Sequence, residues 1–273
     1  MFLHKIYSYW IVHKMKIQVI SDIHLEFHDS IPEILLDKTF VKAPYLFLLG
    51  DIAIPKKHPT KWMQFMTHMA SKYTKVFYLI GNHESYGYSI EKTVSFIKEM
   101  LQSLDNVFYL EAGIKYELED YIVVGCTLWT DIDLGTALLM NDMQNIKTED
   151  YKRLPVEKLQ EWHHRDKTWL ETVLPNITEN ASKVIVATHH MPSMKLIHPK
   201  FKSPSDMKYV RGFASPLDHL IKYTDLWLFG HTHAYTDMML ENTRCYCNPM
   251  GYPGENTGFQ IESILLPTAL KNS

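Results

Sequence analysis

A chain of 273 residues with 46% apolar and 22% charged residues can bury a sizeable core, and this balance is close to that of an average globular protein. A formal charge of -3 removes the electrostatic case for a nucleic-acid binder, and three cysteines are too few for a disulfide framework. Fifteen histidines are the unusual figure, and they direct attention to metal sites.

Met1 to Lys14 mixes aromatic residues with His4, Lys5, His13 and Lys14 and has no apolar block followed by a cleavage site, so 1–14 reads as a leader extension before one domain at 15–273. No uninterrupted apolar stretch reaches about 18 residues, so no membrane span is expected, and the expected location is cytoplasmic. Lys16 to Ile20 reads as a short central strand ending in Ser21-Asp22-Ile23-His24. Residues two apart in an extended segment face the same way, so Asp22 and His24 can point at one ion. Tyr45 to Leu49 is a second apolar run, followed by Gly50-Asp51.

From Pro59 to Tyr73, the residues Trp62, Phe65, Met66, Met69 and Tyr73 recur at helical spacing and form a core stripe. The next strand, Lys75 to Ile80, hands Gly81-Asn82-His83-Glu84 to a loop at its carboxyl end. In open α/β sheets that is where ligands bind. Ser89 to Leu104 reads as a helix with Ser89 as its N-cap. Val107 to Leu110, Lys115 to Leu118 and Tyr121 to Cys126 follow as short adjacent strands.

Thr130 to Arg153 is polar and irregular and leads into a helix from about Pro155 to Val173, so residues from about 130 to 175 are expected to form a cap-like insertion. His163 and Asp166 interrupt that helix's apolar face, either as pocket lining or as a hydrogen-bonded pair one turn apart. Lys183 to Thr188 is the next core strand and ends in His189-His190. The loop from Met191 to Gly212 sets Lys195, Lys200, Lys202, Lys208 and Arg211 against Asp206, as a solvated loop or as an anion clamp. A helix around Ser215 to Tyr223 precedes a strand, Asp225 to Phe229, that ends in Gly230-His231-Thr232-His233. Arg244 to Cys247 and Gly258 to Leu266 read as strands of a closing sheet, with Cys245 and Cys247 on one face as buried thiols of a reducing compartment.

Metal-capable residues therefore end five strands: Asp22 with His24, Asp51, Asn82, His189, and His231 with His233. Strand ends that share one edge bring such groups into one crevice. Seven ligands exceed the need of one ion and suit two ions about 3.5 to 4 Å apart, with Asp51 bridging through its two oxygens. Imidazole, carboxylate and amide donors without thiolate select Mn, Fe, Zn, Co or Ni. No Gly-x-Ser-x-Gly elbow is present, which argues against a serine hydrolase.

The ordered set Asp22-x-His24, Gly50-Asp51, Gly81-Asn82-His83-Glu84, His189 and Gly230-His231-x-His233 resembles the calcineurin-like metallophosphoesterase superfamily, over residues 16 to about 252. The resemblance implies an α/β fold, a four-layer α/β/β/α sandwich of two mixed sheets flanked by helices, with a dinuclear metal site at the strand ends. It implies two divalent or trivalent transition-metal ions, with Mn or Fe favoured. Asp22, His24, Asp51 and His233 would hold one, and Asp51, Asn82, His189 and His231 the other. His83 maps onto the family's catalytic histidine, Glu84 is placed to orient or polarise its ring, and Asn82 fixes the turn that presents it.

The expected reaction is hydrolysis of a phosphodiester or phosphomonoester of a small molecule, nucleotides among them. A hydroxide held between the ions would attack in line, and His83 would assist the leaving group. A nuclease, or a non-catalytic scaffold on the same fold, is the alternative. Ile54 and Pro55 stand where many relatives carry a second acid and the protein Ser/Thr phosphatases an Arg, which disfavours a protein phosphatase. His190 adjoins His189, and the family pattern favours the first as ligand. Asn248-Pro249-Met250-Gly251-Tyr252 also resembles a motif that follows the last histidine pair in small bacterial-type members. Nothing in the sequence bears on oligomeric state.

Overall fold

In the strand Tyr45–Leu49, Leu46 and Leu48 face one way and Phe47 and Leu49 the other, and all four are fully buried. A strand buried on both faces belongs inside a layered structure. The structure, a computed structural model, describes residues 13–180, 182–203 and 205–268. The strands among them are β1 (His13–Ile20), β2 (Tyr45–Leu49), β3 (Lys75–Leu79), β4 (Val107–Tyr109), β5 (Lys115–Leu118), β6 (Tyr121–Cys126), β7 (Lys183–Thr188), β8 (Leu226–Phe229), β9 (Thr236–Leu240), β10 (Thr243–Cys247) and β11 (Ile264–Thr268). The α-helices are α1 (Glu33–Leu36), α2 (Pro59–Lys72), α3 (Ile90–Leu101), α4 (Leu134–Ala137), α5 (Asp142–Asn145), α6 (Val156–Glu179) and α7 (Asp218–Ile221).

Two mixed sheets result. The first has the order β11-β1-β2-β3-β4, parallel except for β11 at its edge. The second has the order β5-β6-β7-β8-β10-β9, with a parallel centre and an antiparallel strand at each edge. Three apolar cores separate four layers. Between the sheets, Val19, Phe47 and Phe77 meet Val123, Ile185 and Leu228. Outside the first sheet, Leu46, Leu48 and Tyr78 receive Trp62 and Phe65 of α2 and Ile97 of α3. Outside the second, Val186, Trp227 and Phe229 receive Leu170 and Leu174 of α6 and Ile221 of α7. This is the α/β/β/α sandwich that the resemblance implies.

Ser89 caps α3 by accepting from the Lys92 amide, as expected of a serine at that position. Residues 1–12 of the expected leader lie outside the described residues, while His13 and Lys14 already belong to β1 and pair with Thr268 and Pro267. The three runs after Asn106 are not all neighbours: β4 completes the first sheet, whereas β5 and β6 begin the second. Likewise β10 and β11 close different sheets, and residues 258–263 are not strand. The helix expected to stop at Val173 runs on through Pro175 to Glu179. Its Leu174 and Ile177 are buried on the second sheet, which offsets the roughly 3 kcal/mol that an interior proline costs a helix. All three cysteines are free and buried. No helix among the described residues is long and apolar enough to cross a membrane.

Candidate metal centre

The parallel strands of both sheets end at one rim, and the loops that follow them are bonded to one another. The Asp22 amide donates to the Gly50 carbonyl at 3.0 Å, His24 to Asp51 at 2.9 Å, and Gly230 to His189 at 3.0 Å. The segment after β10 closes the rim, with Met250 donating to the Ser21 carbonyl at 2.9 Å and Gly251 to that of Asp22 at 2.8 Å. Asp22, His24, Asp51, His231 and His233 all have positive φ, five of the nine such non-glycine residues among those described. Left-handed backbone costs a non-glycine residue about 1–3 kcal/mol and persists only where its surroundings impose it. Here the interlocked loops impose it, and the side chains of these five residues, from three strand ends, turn inward. Two glycines give them room. A Cβ on Gly81 would stand 2.2 Å from Asp51 Oδ1 and 2.5 Å from His189 Cε1, and one on Gly50, at φ +83°, would stand 2.4 Å from the Gly81 nitrogen.

All seven residues expected as ligands meet at this rim and, apart from the half-buried His233, are buried. On one side Asp22, His24 and His233 converge, and on the other Asp51, His189 and His231. His24 Nε2 lies 3.0 Å from His233 Nε2, and His233 Nε2 lies 3.5 Å from Asp22 Oδ1. His189 Nε2 lies 3.0 Å from Asn82 Oδ1, 3.2 Å from His231 Nδ1 and 3.5 Å from Asp51 Oδ2. Asp51 Oδ1 accepts from the His83 amide at 2.8 Å, while Oδ2, 3.9 Å from His24 Nε2, faces both groups.

The far ring nitrogens fix the tautomers. His189 Nδ1 donates to the Leu49 carbonyl at 2.7 Å, His233 Nδ1 to Glu255 at 2.6 Å, and His24 Nδ1 to Glu26 at 3.2 Å. Carbonyls and carboxylates only accept, so in its neutral form each ring directs the lone pair of Nε2 into the cluster. Two imidazole nitrogens 3.0 Å apart need a proton or a cation between them. These residues therefore fit metal ions, and the donor set fits a transition metal.

Burial disfavours charge on these rings, but the Asp51 carboxylate overcomes it at His189, raised to about 10, and Asp22 does so at His233, raised to about 9. Burial and the neighbouring His190 and His189 push His231 well down, so it stays neutral. His190 also stays neutral, pushed to about 3 by burial and the His189 charge. Its Nδ1 bonds the Thr127 carbonyl at 3.2 Å, so His189 is the one of the pair that joins the cluster.

His83 lines a cleft of about 350 Å³ beside the cluster. Its ring does not take its partner from Glu84. The Glu84 carboxylate accepts from the amides of Gly81, Asp51 and Ile52 at 2.8, 3.0 and 2.9 Å and from the Tyr78 hydroxyl, and so braces two loops. Burial, with Asp51 nearby, raises that carboxyl to about 8. Successive side chains on a 3-10 turn diverge by a third of a revolution, which carries Glu84 away from the ring beside it in sequence. The ring's carboxylate is Glu26, with Oε1 2.8 Å from His83 Nδ1. Burial resists ionisation of Glu26, and bonds from His24 and His83 overcome it and hold the carboxyl at about 2. Burial also opposes charge on His83, and Asp51 and Glu26 outweigh it, so the imidazole is held above its ordinary value. The alternation Asp22-x-His24-x-Glu26 is the sequence signal for it, although left-handed backbone at Asp22 and His24 and a 3-10 turn at Leu25–Phe27, rather than an extended segment, bring the three together.

Asp142, on α5, has no such signal. Its Oδ1 accepts from Asn82 Nδ2 at 2.7 Å and from the Tyr86 hydroxyl at 2.6 Å. With its nitrogen held outward, Asn82 must turn its Oδ1 toward His189 and His231. His163 and Asp166 line no part of the cleft and are not bonded to each other; His163 bonds the Trp129 carbonyl, and Asp166 accepts from the Leu128 amide at 3.0 Å. No lysine or arginine of the basic loop lines the cleft. Lys195 pairs with Asp218 at 2.8 Å and Lys200 donates to the His233 carbonyl at 2.6 Å, while Phe201, Tyr209 and Phe213 form the wall.

A family model for calcineurin-like phosphoesterases matches residues 15–235. Over 266 residues the chain is 28% identical to an uncharacterized protein of Acanthamoeba polyphaga mimivirus, covering 89% of this chain and 93% of that one. The crystal structure of phosphopantetheinyl hydrolase from Mycobacterium tuberculosis shares the fold at a TM-score of 0.63 and 14% identity, covering 89% of this chain and 92% of that one. The TT1561 protein of Thermus thermophilus does so at a TM-score of 0.52 and 13% identity, over 87% and 90% of the two chains.

Proposed function

Since the chain belongs to the calcineurin-like phosphoesterase family and is a metal-dependent phosphoester hydrolase, we propose that its substrate is a phosphodiester or phosphomonoester of a small molecule, and that His83 protonates the leaving oxygen. The observation that carries this reading is the convergence of two donor groups on either side of Asp51 Oδ2, beside an open cleft that His83 lines.

Asp22, His24, Asp51 and His233 would hold one ion, and Asp51, Asn82, His189 and His231 the other, with manganese or iron as the favoured occupants. Two such cations neutralise charge on the phosphoryl oxygens and make water more acidic. The chain's own part is positioning and proton transfer. Glu26 accepts from Nδ1 of His83 and keeps the ring protonated, which leaves Nε2–H for the departing alkoxide. Tyr86 lies against the same ring, with centroids 4.1 Å apart. Glu84 acts as a brace rather than as the ring's partner. Of the insertion expected between about 130 and 175, the part before α6 acts as a cap, with α5 supplying Asp142 and the stretch from Leu139 to Asp142 lining the cleft, whereas α6 is a layer of the sandwich.

The test pairs metal analysis of the purified chain with turnover of p-nitrophenyl phosphate and bis-p-nitrophenyl phosphate in manganese, iron and zinc. Turnover of at least one ester with two ions per chain is expected, and Asp51→Asn should abolish both turnover and full loading. Two bound ions with no turnover of any ester would overturn the reading.

A further inference from the structure

A second cavity, of about 220 Å³, opens beside the cleft. The two share Phe201, Tyr209, Phe213 and Thr232 as walls, so the second begins one residue from His231 and His233. Met191, Ile197 and Val210 complete an apolar lining, and Asp206 is its charged edge. That carboxylate is engaged within its own turn, accepting from the Ser203 hydroxyl at 2.5 Å. Among the described residues, no lysine or arginine lines either cavity. At the mouth, Leu139 and Tyr252 line the cleft while each is 41% exposed, and the exposed Phe27 ring stands 5.3 Å from that of Tyr252.

We propose that this pocket receives an uncharged aryl or alkyl group of the substrate, so that the chain prefers phosphoesters of apolar alcohols. The inference rests on the hydrolase reading above. A nucleoside would bring polar groups, and a polyphosphate further negative charge, to a second cavity that no lysine, arginine or histidine among the described residues lines and that Asp206 edges, and a nucleobase would leave its polar edge against Ile197, Val210 and Phe213. A phenyl group suits the space, since an apolar cavity of about 150 Å³ holds benzene. In the reaction, water adds its hydroxyl to phosphorus and releases its other proton to solvent, the bond from phosphorus to the alcohol oxygen breaks, and the alcohol departs with the proton given by His83, which solvent then restores.

The test measures binding, by calorimetry on the manganese-loaded chain, of benzylphosphonate, methylphosphonate and adenosine monophosphate. Benzylphosphonate should bind at least about tenfold more tightly than methylphosphonate, the factor expected when a phenyl-sized group leaves water. In Ile197→Trp, which fills the pocket, that advantage should fall to within about twofold, the methyl compound serving as the internal reference. Val210→Phe fills the same space if the first variant does not fold. Equal binding of the two phosphonates, tighter binding of adenosine monophosphate, or an advantage that survives a filled pocket overturns the proposal. Because binding is read without turnover, loss of the hydrolase reading and loss of the pocket are separate results.

Discussion

Glu26 and His83, 57 residues apart in the chain, are joined by a 2.8 Å hydrogen bond between Oε1 and Nδ1. Replacing Glu26 by Gln keeps an acceptor but removes the charge that holds the imidazole above its ordinary value. The fraction of protonated His83 should then fall at a lower pH. The alkaline limb of the kcat profile should move down in Glu26→Gln, with a loss of about tenfold or more near neutral pH. A pH–rate profile with metal analysis checks this, because Glu26 also bonds His24. His83→Ala should lose about 100-fold in kcat and keep both ions. Since His24, Asp51 and His83 also converge, metal lost from that variant would reassign His83 as a ligand.

Metal uptake should release protons. In the ion-free protein His189 and His233, at about 10 and about 9, are charged at neutral pH and must lose a proton for Nε2 to bind a cation. Both values lie above the ordinary 6.5 or so, so their contribution to ion-free stability is complete below about pH 6.5 and is lost as pH rises through about 9 to 10. Affinity for the ion should climb over the same window. Titration of manganese in buffers of different ionisation enthalpy measures the protons. A melting temperature that falls with pH without metal and holds with it is the matching signature; no proton release would contradict it.

Asp142→Ala frees the Asn82 amide from the bond that turns its oxygen toward His189 and His231. Metal affinity should drop by about 10- to 100-fold, the usual cost of losing a residue that orients a ligand. Asp142→Asn, which still offers an oxygen, should restore much of it. Competition with a chelator reads both variants, and an unchanged affinity in Asp142→Ala would show that Asn82 needs no such guide.

Gly81→Ala puts a methyl group where Asp51 Oδ1 and the His189 ring already stand. Turnover should fall by about 100-fold, the cost of displacing a reacting group by about 1 Å. Bound metal should fall with it, while far-ultraviolet circular dichroism stays unchanged.

Much of this was legible in the sequence because sheets obey a short period. Strands such as β2, β3 and β7 read as apolar runs, and the polar residues just beyond them fall at one rim whatever the distance between them in the chain. Local spacing failed where contacts are tertiary. Adjacency suggested Glu84 as the partner of His83, although a 3-10 turn separates neighbours and the turn after β1 supplies Glu26 instead. Helical periodicity exposed the interruption at His163 and Asp166 without revealing that both bond the backbone at 128–129. Asp142 lies 60 residues from Asn82, inside a stretch with no periodicity at all.

The pairing of β11 with β1 sets the order of events in biosynthesis. Asp22 and His24 lie just beyond β1, whose outer edge is matched residue for residue by the last described strand, from Ile17 with Ile264 to His13 with Thr268. The ribosome therefore makes the first ligands some 240 residues before the neighbour that completes their sheet. Asp51, His189, His231 and His233 have all been synthesised before Ile264 is added. Tight capture of the ions should thus be a late act of folding, following the pairing of β11 with β1.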